Sequence, residues 1–244
     1  MRALTAAELL AVWERGQSAP PLRRALLLLT AARDDTPAER LVRWSVGQRD
    51  AELLRVREQL FGAKLASRTT CPECREQVEF EMQCADLLEP VGPVAAETLR
   101  AEFGEWGVEY RLPASLDLEV LEPHAPPERN RRILLARCVL SLRRGGEPVA
   151  IEELPAELEA VIAAGMAAAD PHAEFKLELT CPACGHGWPA VFDVISYLWT
   201  ELHAWAVRLL REVHSLASSY GWSEAAILAL SARRRQLYLG FLRE

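Results

Sequence analysis

No stretch of this chain approaches the roughly 18–20 apolar residues of a membrane-spanning helix. Its first residues lack the basic, then apolar, then small-residue order of a secretory leader. Both absences lead to the expectation of a protein in a reducing cytoplasm. No nucleophile elbow, phosphate-binding glycine loop or dinucleotide fingerprint is present, and no HExxH pair. The 13 glycines are scattered rather than clustered, so catalysis has no visible seat. A basic surplus is missing too: 28 Lys and Arg face 35 Asp and Glu, for a net charge of -7, which argues against nucleic acid as the partner. There is no sustained internal repeat and no low-complexity segment; only two short cysteine motifs look alike. Half of the residues are hydrophobic, enough for a sizeable core.

Those motifs are Cys71-Pro72-Glu73-Cys74 and Cys181-Pro182-Ala183-Cys184. A two-residue spacer lets both thiolates of a tight turn point at one ion. Two such turns complete a tetrahedral four-sulfur site, of which zinc is the usual occupant. In a reducing compartment paired cysteines serve metals more often than disulfides. The rival readings are unrelated surface turns and a thioredoxin-like redox pair. Redox exchange is the weaker, because neither motif opens a helix after the strand of a clear βαβ unit. Cys71, Cys74, Cys181 and Cys184 are therefore expected to hold one structural Zn2+, with no ligand position left for substrate. His186 follows closely enough to replace a sulfur, but such a residue more often hydrogen-bonds a thiolate or faces solvent. Cys84 and Cys138 sit on apolar faces and read as buried thiols.

Residues 1–64 read as helices. Thr5 and Glu8 form a capping box, Pro20 and Pro21 open a second helix, and Thr36-Pro37-Ala38-Glu39 signals another start. A helix from about Gln48 to Phe61 precedes Gly62, a suitable C-terminal cap. Around the motifs the period changes to two. Val78, Phe80, Met82 and Cys84 alternate with polar residues, as do Phe175, Leu177 and Leu179, and Trp188 to Phe192 suits a return strand. The expected fold is mainly α with a small zinc-ribbon-like β element. That element would be stitched from residues 65–90 and 173–192, with helices flanking a four-cysteine ribbon. Between them, residues 91–172 form a mixed insert that opens with a Pro/Gly stretch. It carries a short strand at Val108, Tyr110 and Leu112, a helix from Pro127 to Leu142 ended by Gly145-Gly146, and a helix from about Pro155 to Ala169. Residues 193–244 form a C-terminal helical region. Trp199, Leu202, Ala206, Leu209, Val213, Leu216 and Tyr220 make an unbroken apolar seam. Gly221 ends that long helix, and Ser223 and Ser231 cap two short ones.

His203 and His214, with Glu201 and Glu212, project to similar sides of the long helix and suggest a second metal or acid–base site, although the seam explains the helix without one. His124 and His172 carry no pattern. Arg233-Arg234-Arg235 on the last helix allows an alternative: a zinc-ribbon/helix-turn-helix transcriptional regulator that reads DNA. The acidic total and the crowding of Trp199, Trp205, Tyr220 and Trp222 favour protein–protein binding instead, since aromatic residues concentrate at protein interfaces. Trp199, Trp205 and Trp222 are the candidate partner contacts.

The residues also resemble a family. Phe192-Asp193, Trp199, Glu201, Trp205-Ala206, Leu209-Leu210, Glu212-Val213-His214 and Tyr220-Gly221-Trp222-Ser223-Glu224 are similar to the C-terminal signature of small baseplate proteins. These occur in T-even-type contractile phages and in bacterial contractile injection systems. Trp13-Glu14-Arg15-Gly16, Gly47, Arg49-Asp50, Leu53-Leu54 and Leu60-Phe61-Gly62 extend the likeness to the N-terminal half. Arg75 departs from it, standing where a small residue is expected after the first cysteine turn. The resemblance implies a non-enzymatic component or chaperone-like assembly factor of the baseplate hub. Its partners would be hub proteins, not membrane or a small-molecule substrate. It would act in a bacterial cytoplasm or within the tail particle.

Overall fold

The computed structural model describes residues 2–88, 98–122 and 124–242. The Pro/Gly stretch at the opening of the insert lies outside them. The chain divides into two compact units, one built from both ends of the sequence (1–37 and 194–244) and one from residues 38–193.

The first unit is helical: α1 (Ala6–Gly16), α2 (Pro21–Ala32), α9 (Val194–Tyr220), α10 (Glu224–Leu228) and α11 (Ala232–Phe241). The capping box at Thr5 forms as expected. The Thr5 hydroxyl accepts the Glu8 N–H at 3.3 Å, and the Glu8 carboxylate accepts the Thr5 N–H at 2.9 Å. The seam of α9 is buried from Leu198 to Leu216. Tertiary packing of this stripe supplies most of the stability of the 27-residue helix. Leu209, Val213, Leu216 and Ile227 form a core at its far end, with Trp205, Trp222 and Tyr238 packed against it. Ser223 and Ser231 cap α10 and α11 by accepting the N–H groups of Ala226 and Arg234.

The second unit contains α3 (Ala38–Leu41), α4 (Val46–Phe61), β1 (Lys64–Thr70), β2 (Gln77–Gln83), α5 (Cys84–Leu87), β3 (Leu99–Phe103), β4 (Trp106–Tyr110), α6 (Ser115–Leu118), α7 (Pro127–Cys138), β5 (Val139–Arg144), β6 (Glu147–Pro148), α8 (Ala156–Ala169), β7 (Phe175–Thr180) and β8 (Gly187–Phe192). Among the described residues its strands form three antiparallel sheets: β1-β2, β3-β4-β5-β6 and β7-β8. Val108, Tyr110 and Leu142 from the four-stranded sheet pack with Leu135, Leu158 and Ile162 from α7 and α8.

This corrects the expectation of a mainly α fold around one zinc-ribbon-like element. The described residues are mixed α and β. The two cysteine-bearing hairpins do not merge: each is its own two-stranded sheet, with no hydrogen-bond ladder joining them. The largest sheet lies in the insert. Part of the error sits at residues 139–142, read as the end of a helix. The backbone instead turns extended at Val139, and Val139, Ser141 and Leu142 pair with Tyr110, Glu109 and Val108. A β-branched residue at the junction and a waiting partner strand outweigh the helical spacing of Cys138 and Leu142.

Candidate metal centre

The two cysteine turns are built alike. Each hairpin ends in a tight turn whose first cysteine is buried and whose second is exposed. In the first, the Cys71 N–H donates to the Glu76 carbonyl at 2.9 Å, and the Arg75 N–H donates to the Cys71 carbonyl at 3.1 Å. In the second, the Cys181 N–H donates to the His186 carbonyl at 2.9 Å, and the Gly185 N–H donates to the Cys181 carbonyl at 2.9 Å. Backbone N–H groups also aim at the sulfurs: those of Cys74 and Glu73 at Cys71, and those of Cys184 and Ala183 at Cys181. The likeness continues along both hairpins, from Leu65 and Phe175 to Met82 and Phe192, with identical antiparallel pairing.

The sulfurs of the two turns meet. Cys71 Sγ lies 3.8 Å from Cys184 Sγ, and Cys74 Sγ lies 3.6 Å from Cys181 Sγ. All four lie within 4.8 Å of one another, and none is in a disulfide. These cross-contacts exchange when the turns are exchanged, so a local two-fold relates them. Zn–S bonds of about 2.3 Å in tetrahedral geometry place sulfurs about 3.8 Å apart. The donor set and its spacing therefore fit a divalent tetrahedral ion. Val78 and Trp188 pack against Cys71 and Cys181 beneath the quartet.

Four thiols this close cannot all ionise without a cation among them. Accepted N–H groups, those of Cys184 and Ala183 above all, bring the Cys181 thiol down to about 7. Cys74 accepts the Glu76 N–H, which acts downward. The crowding of Cys184, burial and the other two sulfurs outweigh it and push Cys74 up to about 12. A bound dication would remove that conflict by stabilising all four thiolates.

Among the described residues no other group of three or more ligating side chains converges. The ring of His186 stacks on Trp188, 6.1 Å between centroids, so it packs over the hairpin. The imagined second site on α9 is otherwise engaged. His203 Nδ1 accepts the Trp13 indole N–H at 3.2 Å, and Glu212 accepts from Arg235 at 2.9 Å and from Gln236 at 2.6 Å. Arg235 is buried, so the arginine trio does not present a continuous basic face. Cys84 and Cys138 are buried as expected, and burial raises the Cys138 thiol to about 11. Of the three tryptophans, Trp199 is buried, its ring against Gly16 and under the Arg24 guanidinium at 4.7 Å. Trp205 and Trp222 are half-buried. Trp222 stacks on Tyr220 and meets Tyr238 edge-on, both at 4.8 Å.

Sequence reading missed the polar framework that supports the hairpins' unit. Arg49 grips Asp50 through two hydrogen bonds of 2.6 and 2.9 Å and reaches Ser115. The Gly47 N–H donates to Asp170 at 2.8 Å. Burial raises the pKa of both aspartates. Asp117, almost wholly buried, takes Arg111 at 2.5 and 2.9 Å, Arg137 at 2.9 Å and the Ala114 N–H at 2.9 Å. Burial acts upward on Asp117, but Arg111, Ala114 and Arg137 prevail and hold its carboxyl near about 2. The adjacent pair Arg49-Asp50 was visible as residues, but nothing in its spacing marks it as buried.

The family model described as T4 bacteriophage base plate protein matches residues 28–196, more than two thirds of the chain. The chain belongs to that family and is a T4-type baseplate protein. No curated protein and no solved structure gives a match. The matched range holds both cysteine turns and stops near the start of α9. Membership implies a structural role carried out by contact with other baseplate proteins. No helix among the described residues is long and apolar enough to cross a membrane.

Proposed function

We propose that this protein is a non-enzymatic assembly factor or structural component of the baseplate hub of a contractile tail, in a phage or a contractile injection system. It would act in the bacterial cytoplasm by binding other hub proteins. One structural Zn2+, held by Cys71, Cys74, Cys181 and Cys184, would clamp its two hairpins. The observation that carries this reading is the baseplate family match across a segment containing both cysteine turns. Convergence of sulfurs from positions more than a hundred residues apart supports the clamp. Metal-binding free energy then becomes folding free energy, because the unfolded chain has no preformed site. Trp205 on α9 and Trp222 in the turn after it, both half-buried, are proposed to border the partner surface, with Trp199 supporting it from beneath.

Deleting the gene from its own tail cluster tests the role. Electron microscopy should then show tubes and sheaths without completed baseplates, restored by the wild-type gene in trans. Intact baseplates in the deletion strain would refute it.

A further inference from the structure

We propose that the outer face of α11 is the docking surface for an acidic amphipathic segment of a baseplate partner. This inference rests on the assembly reading above and assigns its contact face. With 3.6 residues per turn, Arg233, Arg234, Leu237 and Phe241 fall on one side of the helix. Leu237 and Phe241 are 56% and 61% exposed, large values for side chains of that size and type. Arg233 and Arg234 are exposed, and neither forms an ion pair with another side chain among the described residues. The other side faces the unit's core: Arg235 is bound to Glu212, while Tyr238 and Leu239 pack on the helical core. Two bulky apolar groups flanked by two exposed arginines therefore lie on a capped helix.

Charge complementarity selects the occupant. The face is locally basic on a chain of net charge -7, so it attracts what the rest of the surface repels. A phosphate backbone would satisfy the arginines but leave Leu237 and Phe241 against water. A second copy meeting the same patch two-fold would bring four arginines together. A helix with carboxylates beside leucine- or phenylalanine-like side chains satisfies both chemistries at once, as in helix-in-groove recognition.

The test uses the full-length protein and the other baseplate proteins of its own tail, purified and titrated one at a time. One of them, carrying an acidic amphipathic segment, should bind, and binding should weaken with salt. Arg233→Glu with Arg234→Glu, and separately Leu237→Ser with Phe241→Ser, should each lower its affinity at least tenfold. Unchanged circular dichroism and melting would show that both variants stay folded. Full affinity in both variants would overturn the docking face while leaving the assembly role standing. Failure of every baseplate protein to bind would overturn both. Arginine-dependent binding to duplex DNA, or self-association abolished by the variants, would replace the proposed partner and overturn the inference.

Discussion

Arg75 and Gly185 occupy the same place in two turns built alike. Each follows the second cysteine, and each has a left-handed backbone, φ 66° and φ 74°. Glycine adopts that conformation freely, whereas a side chain costs about 1–2 kcal/mol there. Arg75 is the one non-glycine residue with positive φ among those described. The turn tolerates it because the Arg75 N–H bond to Cys71 fixes the backbone. Arg75→Gly should raise the stability of the metal-loaded protein by up to about 1 kcal/mol, because relief of strain exceeds the entropy glycine adds to the unfolded chain. Gly185→Arg should cost about 1–2 kcal/mol. Denaturant midpoints of the two variants, moving in opposite directions, would check the equivalence of the turns.

Replacing one ligand should affect metal and fold together. Cys181→Ser leaves three sulfurs and is expected to lower bound zinc and the melting temperature in parallel, with a loss of several kcal/mol. Cys138→Ser, in the same unit but remote from the quartet, should keep its zinc. Full zinc occupancy in Cys181→Ser, measured by plasma emission spectrometry, would count against four-sulfur ligation.

Asp117 predicts a pH signature. Its folded pKa, about 2, lies below the ordinary 3.8, so folding favours the ionised form. Its contribution is complete above the unfolded value and is lost as pH falls from about 4 through 2. Asp117→Asn should therefore cost about 3 kcal/mol at neutral pH, since two arginines lose a buried anion. The gap between variant and wild type should close as pH drops through that window. Chemical denaturation of both proteins at several pH values measures the gap, and any metal-linked change cancels in the difference.

Gly16 is constrained by contact rather than by φ. A Cβ there would overlap the six-membered ring of Trp199. Gly16→Ala should destabilise the helical unit by about 1–3 kcal/mol, as overpacking does. Trp199→Leu in the same chain should recover part of the loss, which a double-mutant cycle would reveal.

Much of this was legible in the residues. The capping box at Thr5, the serine caps at Ser223 and Ser231 and the α9 seam are local signals that packing had no reason to override, and the two-residue cysteine spacing marked the four thiols that converge. The fold class was not, and particular residues show why. Val139 to Arg144 continue a helical spacing, and the β-branched Val139 with partner strands β4 and β6 makes them a strand. The second hairpin's likeness to the first extends well beyond the cysteines, through Leu65 and Phe175 or Met82 and Phe192. Those pairs share register and apolar character rather than identity, so direct comparison of letters does not expose them. Asp117 and Arg111 are six positions apart in a loop-rich stretch, where spacing carries no periodic meaning. Trp199 looked like a partner contact because aromatic density marks interfaces and cores alike.

Metal stoichiometry tests the central claim most directly. Reduced protein stripped of metal by acid or a chelator, then reconstituted with Co2+, should bind one ion per chain. It should show the intense thiolate-to-cobalt absorption and the visible bands of a tetrahedral four-sulfur site, with zinc displacing cobalt one for one. A spectrum with fewer than four thiolates, or no stoichiometric binding to the reduced protein, would contradict the metal clamp.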